Sequence, residues 1–171
     1  MGDNTARREL YDRYAGRLLA ICMRYVGERA TAEDLLHDAF LKIYGAFDRF
    51  SYRGPGSLRA WIERITVNVA LEWLRNRNRL GVVELDEGRA AGTIADPDPA
   101  EVARVPHDVL MRFVGELPDG YRAVFNLYCI EGLPHREIAE MLGINEKSSS
   151  SQLFRARNIL ARRIKDYLKT H

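Results

Sequence analysis

Residues 134–157, PHREIAEMLGINEKSSSSQLFRAR, predict two helices joined by a glycine turn. Ile138 and Leu142 are four residues apart and share one helical face, and Gly143 follows where a residue that tolerates positive φ ends a helix. The second helix is expected to turn five apolar residues inward: Leu153, Phe154, Ile159, Leu160 and Ile164. It carries four arginines on or near its outer side: Arg155, Arg157, Arg162 and Arg163. This pattern is typical of a helix-turn-helix that enters the DNA major groove, although an ordinary helical hairpin with a solvated basic face is the alternative.

The composition of the 171-residue chain limits the classes of protein to which it can belong. The apolar runs are far shorter than the ~20 residues of a membrane span, and no apolar segment follows the first residues as in a signal peptide. We therefore expect a cytoplasmic protein without membrane insertion. Cys22 and Cys129 are far apart and no histidine clusters with them, so we expect no metal and no cofactor. We also expect no enzyme, because the sequence offers no carboxylate pair, nucleophile–base set or phosphate-binding glycine loop.

Glycine, proline and acidic residues concentrate in the middle of the chain and predict how it is organised. We predict an all-α fold of two small helical domains, at residues 1–80 and 108–171, joined by a flexible acidic linker at 81–107. Both predicted domains carry a net positive charge, which suits a polyanionic partner, although solubility alone would also explain it.

Apolar residues at three- and four-residue spacing predict the helices. In the first domain we expect helices at roughly 7–26, 31–44 and 57–79, with Thr31 and Ser57 as N-caps. In the second domain we expect helices at roughly 109–116 and 119–130, followed by the helix-turn-helix.

Four stretches, in this order and at this spacing, resemble the bacterial RNA polymerase sigma factors of the extracytoplasmic-function (ECF) class. They are Asp34–Tyr44 (DLLHDAFLKIY), Phe50–Ala70 (FSYRGPGSLRAWIERITVNVA), Leu117–Leu127 (LPDGYRAVFNL) and the helix-turn-helix with its terminal Phe154–Arg157 (FRAR). The resemblance implies a protein that binds core RNA polymerase, directs it to promoter DNA and helps to melt the duplex. It also implies an anti-sigma factor as a regulatory partner. The alternative is a helix-turn-helix repressor or activator that acts without being a polymerase subunit.

The resemblance assigns roles to residues in each stretch. The polymerase-binding residues are expected to be Asp34, Leu35, Asp38, Phe40 and Lys42. The residues that bind the −10 element are expected to be Phe50, Tyr52, Arg53, Arg64, Asn68 and Arg75. Aromatic and guanidinium planes stack on unpaired bases, although Phe47 and Phe50 could instead only anchor their loop. Asp34 and Asp38 share a helical face, which could also be a solvated acidic stripe.

The residues that bind the −35 element are expected to be Arg136, Lys147, Ser148, Ser150, Ser151, Gln152, Arg155 and Arg157. The chain departs from the family here, since residues 148–152 stand where Thr-Val-Lys-Ser-Arg is common. Ser148 is expected to cap the second helix, and Ser149 replaces an apolar core residue. Gln152 replaces a cation and could bond adenine at N6 and N7, while the arginines contact phosphates. The departure leaves the −35 sequence open.

Overall fold

The computed structural model describes residues 4–76 and 95–171, and within these ranges all regular structure is helical. The chain forms two compact units, residues 1–73 and 74–171. The helices are α1 (Asn4–Val26), α2 (Arg29–Ala46), α3 (Ser57–Asn76), α4 (Pro99–Ala103), α5 (His107–Gly115), α6 (Asp119–Phe125), α7 (His135–Leu142) and α8 (Glu146–Thr170). The predicted all-α fold is confirmed, whereas the predicted end of the third helix, at 77–79, lies outside the described residues.

In the first unit α1 and α2 form an antiparallel pair joined at Gly27, whose φ of 72° ends α1 as predicted. The start of α1 meets the end of α2, where the Tyr44 hydroxyl donates a hydrogen bond to the Arg7 carbonyl at 3.0 Å. The prediction that Thr31 caps α2 is wrong, because α2 begins at Arg29 with Glu28 at the N-cap position. The Thr31 hydroxyl instead donates to the Glu28 carboxylate at 3.2 Å.

The core of the first unit is built from the inward stripes of its helices. Buried residues on α1 and α2 are Leu18, Ile21, Cys22, Tyr25, Val26, Ala32, Leu35, Leu36, Ala39, Phe40 and Ile43. The side chain of α3 residue Thr66 is also buried, and its hydroxyl donates to the Ile62 carbonyl of the preceding turn at 2.8 Å. Ion pairs tie α3 to the other two helices, from Arg17 to Glu63 and, at 2.8 Å, from Lys42 to Glu72. Among its described residues, the core of the unit is therefore apolar except for Thr66.

Helix α4 lies within the predicted linker, of which residues 81–94 are outside the described part of the chain. Asp98 accepts a hydrogen bond from the backbone N–H of Ala100 at 2.9 Å, and the Glu101 carboxylate accepts one from the N–H of Asp98 at 3.1 Å. Pro99 occupies the first helical position, where its missing N–H costs nothing. This reciprocal capping box explains why a helix forms in a stretch that its glycine and proline content assigned to a linker. Val105, just beyond α4, is buried in the second unit, while the linker boundaries at 81 and 107 stay a prediction.

A buried arginine fastens the turn between α5 and α6. Arg122 is buried and donates to the carbonyls of Gly115 at 3.2 Å and Leu117 at 2.7 Å, and it is also paired with Asp119. The guanidinium thus satisfies the carbonyl of Gly115, the last residue of α5, and that of Leu117 in the following turn. The apolar core around this turn joins α5 and α6 to α8 through Val105, Phe113, Val114, Leu117, Tyr121, Ala156, Leu160 and Ile164. After α6 the chain continues as a π-helical turn over Asn126–Ile130.

Helices α7 and α8 form the predicted helix-turn-helix. Gly143 ends α7 with a φ of 68°, as predicted. The predicted cap of α8 is wrong by three residues, because Asn145 is the N-cap and its side chain accepts the Ser148 N–H at 2.7 Å. The prediction that Phe154 faces the core is also wrong, since 51% of it is exposed. The buried residues Leu153, Ala156 and Leu160 fix the phase of α8 and turn position 154 outward.

Candidate polymerase and nucleic-acid interfaces

The surface of α2 separates the predicted polymerase-binding residues into two groups. Asp34 and Asp38 are exposed on one helical face, as their four-residue spacing requires. Leu35 and Phe40 are buried, and this corrects the prediction that they share that surface, because they lie on the stripe that packs in the core. Lys42 is exposed but paired with Glu72.

Leu41 was missed by the sequence analysis, although 57% of it is exposed and it lies three residues after Asp38 on α2. An apolar residue on a mostly charged surface is the signal that could have identified it, once the inward stripe of α2 was assigned.

The loop between α2 and α3 holds its aromatic residues in two different ways. The Phe50 ring is half-buried and lies 5.0 Å from the Trp61 ring, and Phe47 lies 5.6 Å from the same ring. These two phenylalanines therefore anchor the loop to α3. Tyr52, by contrast, is 70% exposed, and Arg53 is exposed beside it. Only the second pair is free to meet an unpaired base without repacking the loop.

The backbone of this loop is fixed by α3. The backbone N–H of Arg53 donates to the Ser57 hydroxyl at 3.2 Å, and that hydroxyl donates to the Gly54 carbonyl at 2.8 Å. Ser57 is the first residue of α3, so its hydroxyl serves the loop, whereas it was predicted to be the N-cap. Gly54 and Gly56 have φ values of 116° and 84°, which a residue with a side chain rarely adopts. The loop thus has a defined path that carries Tyr52 outward.

Helix α3 brings its three predicted DNA-binding residues to one exposed face. Arg64, Asn68 and Arg75 are all exposed, and their spacing of four and seven residues places them on one side of the helix. The neighbours Val67 and Val69 are buried, so Asn68 projects away from the apolar side of α3. An exposed asparagine needs no structural hydrogen bond, which was the alternative explanation for it.

The predicted −35 residues differ in how accessible they are. Four are exposed: Arg136, Lys147, Ser150 and Arg157. Three are half-buried: Ser148, Ser151 and Arg155, of which Arg155 lies 3.4 Å from the Tyr121 hydroxyl. Gln152 is only 8% exposed, which corrects the prediction that it reads bases. Its position, one turn before Ala156 and two before Leu160, puts it on the inward stripe of α8.

An open cleft of about 380 Å³ lies on the helix-turn-helix beside the exposed α8 residues. Its lining residues are Ala95, Asp96, Tyr128, His135, Ser150, Leu153, Phe154, Arg157 and Asn158. The Tyr128 and His135 rings stack at 4.6 Å with an interplanar angle of 17°. None of Tyr128, His135 and Phe154 was predicted as a surface residue of the site. The sequence could have identified them only through the side of the helix or turn on which each residue lies, and hydrophobicity alone does not determine that side.

The two cysteines differ in their surroundings. Cys22 is buried in α1, and burial raises the pKa of its thiol to about 12. Cys129 is exposed, and partial burial raises the pKa of its thiol while the positive charge of Arg157 opposes the change. Both thiols are therefore protonated at neutral pH. Across residues 4–76 and 95–171, no three His, Cys, Asp or Glu side chains are grouped as a metal site would need.

None of the helices in the described ranges combines the length and the apolar character needed to cross a membrane.

Comparison with protein families assigns both parts of the chain. Residues 10–80 match the model of Sigma-70 region 2, and residues 107–160 match that of Sigma-70, region 4. Together these matches cover well over half of the chain, in the order that the sequence predicted. The chain therefore belongs to the sigma-70 family of sigma factors.

Individual relatives place the chain within that family. It is 30% identical to the ECF RNA polymerase sigma factor SigE of Mycolicibacterium smegmatis over 95% of this chain, although it spans only 62% of the length of that protein. It is 26% identical to the ECF RNA polymerase sigma-E factor of Escherichia coli, over 98% of this chain and 91% of that one. The predicted membership of the ECF class is confirmed.

A solved structure shares the fold. The sigma factor RpoE, in its complex with the anti-sigma factor NepR from Bartonella quintana, matches with a TM-score of 0.54 and 23% identity. The match covers 92% of this chain and 96% of that one.

Proposed function

We propose that this chain binds core RNA polymerase, directs it to a promoter with both a −10 and a −35 element, and helps to melt the duplex. The observation that carries the proposal is the presence of both sigma-70 regions, each with an exposed polar face of its own. The chain contributes binding energy to these steps and no catalytic chemistry. As a subunit of the polymerase it acts in the cytoplasm.

The polymerase-binding surface is the exposed side of α2. Asp34 and Asp38 supply negative charge on one face, and Leu41 supplies exposed apolar area beside them. Charged groups steer an encounter and set its register, while a desolvated apolar residue contributes affinity. We therefore assign Leu41 the role that the sequence analysis gave to Leu35 and Phe40.

The melting surface combines the loop and α3. Tyr52 and Arg53 are exposed at the tip of a loop that Phe47 and Phe50 anchor on Trp61. Stacking of an aromatic ring on an unpaired base contributes ~1–3 kcal/mol. Because this loop already has a fixed path, binding does not incur the conformational-entropy cost of ordering it. Arg64 and Asn68 offer hydrogen-bond donors along α3 to the same strand, and Arg75, whose Nη1 donates to the Met141 carbonyl at 2.9 Å, offers its remaining N–H groups.

The upstream surface is the first half of α8 with the start of α7. Arg136, Lys147 and Arg157 supply phosphate contacts, and Ser150 is the exposed residue left to read a base edge. With Gln152 inside the domain, direct base readout is sparse. We therefore expect a −35 element whose recognition depends mainly on backbone contacts and DNA shape.

An anti-sigma factor is proposed as the regulatory partner, on the ground of family membership. It would compete with polymerase or DNA for the surfaces described above.

The test is transcription in vitro with purified core polymerase on genomic promoter fragments. The proposed function requires transcripts that appear only when both core enzyme and this chain are present, and that start at defined sites. A helix-turn-helix repressor would instead bind duplex DNA without core enzyme and reduce transcription by another sigma factor. That outcome would contradict the proposal.

A further inference from the structure

A histidine and a buried serine meet where α7 begins. Ser149 is fully buried on α8, and its Oγ lies 2.8 Å from Nδ1 of His135, the first residue of α7. A hydroxyl can donate a hydrogen bond to a neutral ring nitrogen or accept one from a protonated ring nitrogen. The contact therefore persists whether or not the imidazole carries a proton.

The ring held in this way borders the cleft on the proposed −35 face. His135 is half-buried, stacks on Tyr128 of the π-helical turn, and lines the cleft together with Ser150 and Arg157 of α8. The charged or titratable groups that line the cleft with it are Asp96, Tyr128 and Arg157. On its own helix the neighbouring charges are Arg136 and Glu137, and Glu131 precedes α7.

We propose that His135 is a titratable contact of the −35 element and that Ser149 is its positioning residue. Histidine is the side chain whose charge changes between pH 5 and 8. A protonated His135 adds one positive charge beside Arg157 and Arg136, opposite the phosphates of the bound duplex. Promoter affinity then rises as the pH falls. The proposal rests on the function proposed above, and it accounts for a serine where the family commonly has an apolar residue, since valine could not hold the ring.

The experiment measures binding of fluorescent promoter duplex by holoenzyme at about pH 5.5, inside the range in which histidine gains its charge, and at about pH 8.5, above that range. Wild type is compared with His135→Gln, so that the intrinsic pH dependence of the polymerase cancels in the ratio. His107→Gln is the matched control, because His107 is an exposed histidine at the start of α5 and does not line the cleft. Circular dichroism verifies that each variant retains the helical content of wild type.

The two affinities should be equal at the higher pH. At the lower pH wild type should bind about two- to five-fold more tightly than His135→Gln, the range of one solvent-screened ion pair. Its log–log salt slope there should be steeper by about 0.9, one phosphate contact. His107→Gln should follow wild type.

The positioning role has a separate readout. Ser149→Ala should lose most of the pH-dependent gain although the imidazole is present, and Ser149→Thr, which retains a hydroxyl, should restore it. Equal salt slopes for wild type and His135→Gln at the lower pH, with −35-dependent binding intact, would overturn the inference and leave promoter recognition standing. If wild-type binding did not depend on the −35 sequence at either pH, the proposed upstream recognition would fail instead.

Discussion

Helices α2 and α8 each carry predicted binding residues of one domain, and they divide buried from exposed residues by different rules. On α2 the division largely follows hydrophobicity, with Leu35 and Phe40 inside and Asp34 and Asp38 outside. On α8 two polar residues, Ser149 and Gln152, are inside while an aromatic residue, Phe154, is outside. Leu41, which is apolar but exposed, is the exception on α2.

The comparison teaches that the position of a residue around the helix determines whether it is buried, whereas its hydrophobicity is only a guide to that position. Once Leu153, Ala156 and Leu160 pack in the core, position 149 is carried inward and position 154 outward. Places where residue type disagrees with phase are expected at functional surfaces, because binding needs groups that stability alone would not select. Leu41 on α2 and Phe154 on α8 are two such places.

Charge reversal on α2 should have the largest effect. The double variant Asp34→Lys/Asp38→Lys should weaken core polymerase binding by on the order of 100-fold or more, because like charges at an interface cost several kcal/mol. Fluorescence titration of core enzyme measures the affinity, and the fold should be retained because both side chains are exposed. The matched control Glu9→Lys/Asp12→Lys changes the net charge equally on the exposed side of α1. A double Asp variant that bound as tightly as this control would remove α2 from the interface.

Truncation of two adjacent residues on α8 should separate its inner from its outer side. Leu153→Ala should destabilise the second unit by about 2–5 kcal/mol, because it opens a cavity in the core. Phe154→Ala should change the stability by about 1 kcal/mol or less, since half of the side chain is already exposed. Amide hydrogen exchange of α7 and α8 reports the stability of this unit in the full chain. Equal losses for the two variants would show that the phase of α8 is different.

Removal of the buried hydroxyl should have a moderate effect. The sequence analysis placed Ser149 where the family has an apolar core residue, and on that ground alone Ser149→Val would be expected to stabilise the domain. Ser149 does face the core, but its bond to His135 reverses the expected sign. Ser149→Val should cost about 1 kcal/mol, the typical value of a hydrogen bond. Thr66→Val in the first unit is the control. It should cost less, because the Thr66 hydroxyl donates a second hydrogen bond to the Ile62 carbonyl, which is a backbone acceptor within the same helix. A gain in stability on replacing Ser149 would mean that its contact with His135 contributes nothing.

Replacement of the buried glutamine should have the smallest effect on stability. Within the described residues, the Gln152 Oε1 atom is buried without a hydrogen-bond partner. Gln152→Leu should therefore be neutral or stabilising by up to about 1 kcal/mol, since it removes a desolvated acceptor. It should leave the preferred −35 sequence unchanged, whereas Ser150→Ala should alter it. Selection of promoter variants by each holoenzyme measures both preferences, and a new base preference for Gln152→Leu would restore the sequence-based interpretation.

Much of the helical framework could be predicted from the sequence, because apolar spacing and glycine positions determine it locally. Gly27 and Gly143 end their helices where expected, since each adopts a positive φ that favours glycine. Helix starts were less predictable. Thr31 and Ser148 looked like caps, yet Glu28 and Asn145 occupy the cap positions. Several polar residues near a start compete for this role, and packing of the helix selects among them.

The candidate site was predictable in its segments but not in its exposed atoms. Exposure depends on contacts between elements that are distant in sequence, such as those of Phe50 with Trp61 and of Ser149 with His135. The pattern of a single sequence does not show which distant residues come into contact. Asp34, Asp38, Tyr52 and Asn68 were predicted and are exposed, whereas their roles in binding stay predictions.

The capping box at Asp98 determines where the second domain can be cut from the rest of the chain. A fragment that begins at residue 108, the domain boundary predicted from the composition of the linker, lacks Val105 and so leaves a cavity in the core cluster that contains Phe113 and Leu160. It also lacks the whole of α4. A fragment that begins before Asp98 retains the reciprocal cap, and with it the helix that leads Val105 into the core.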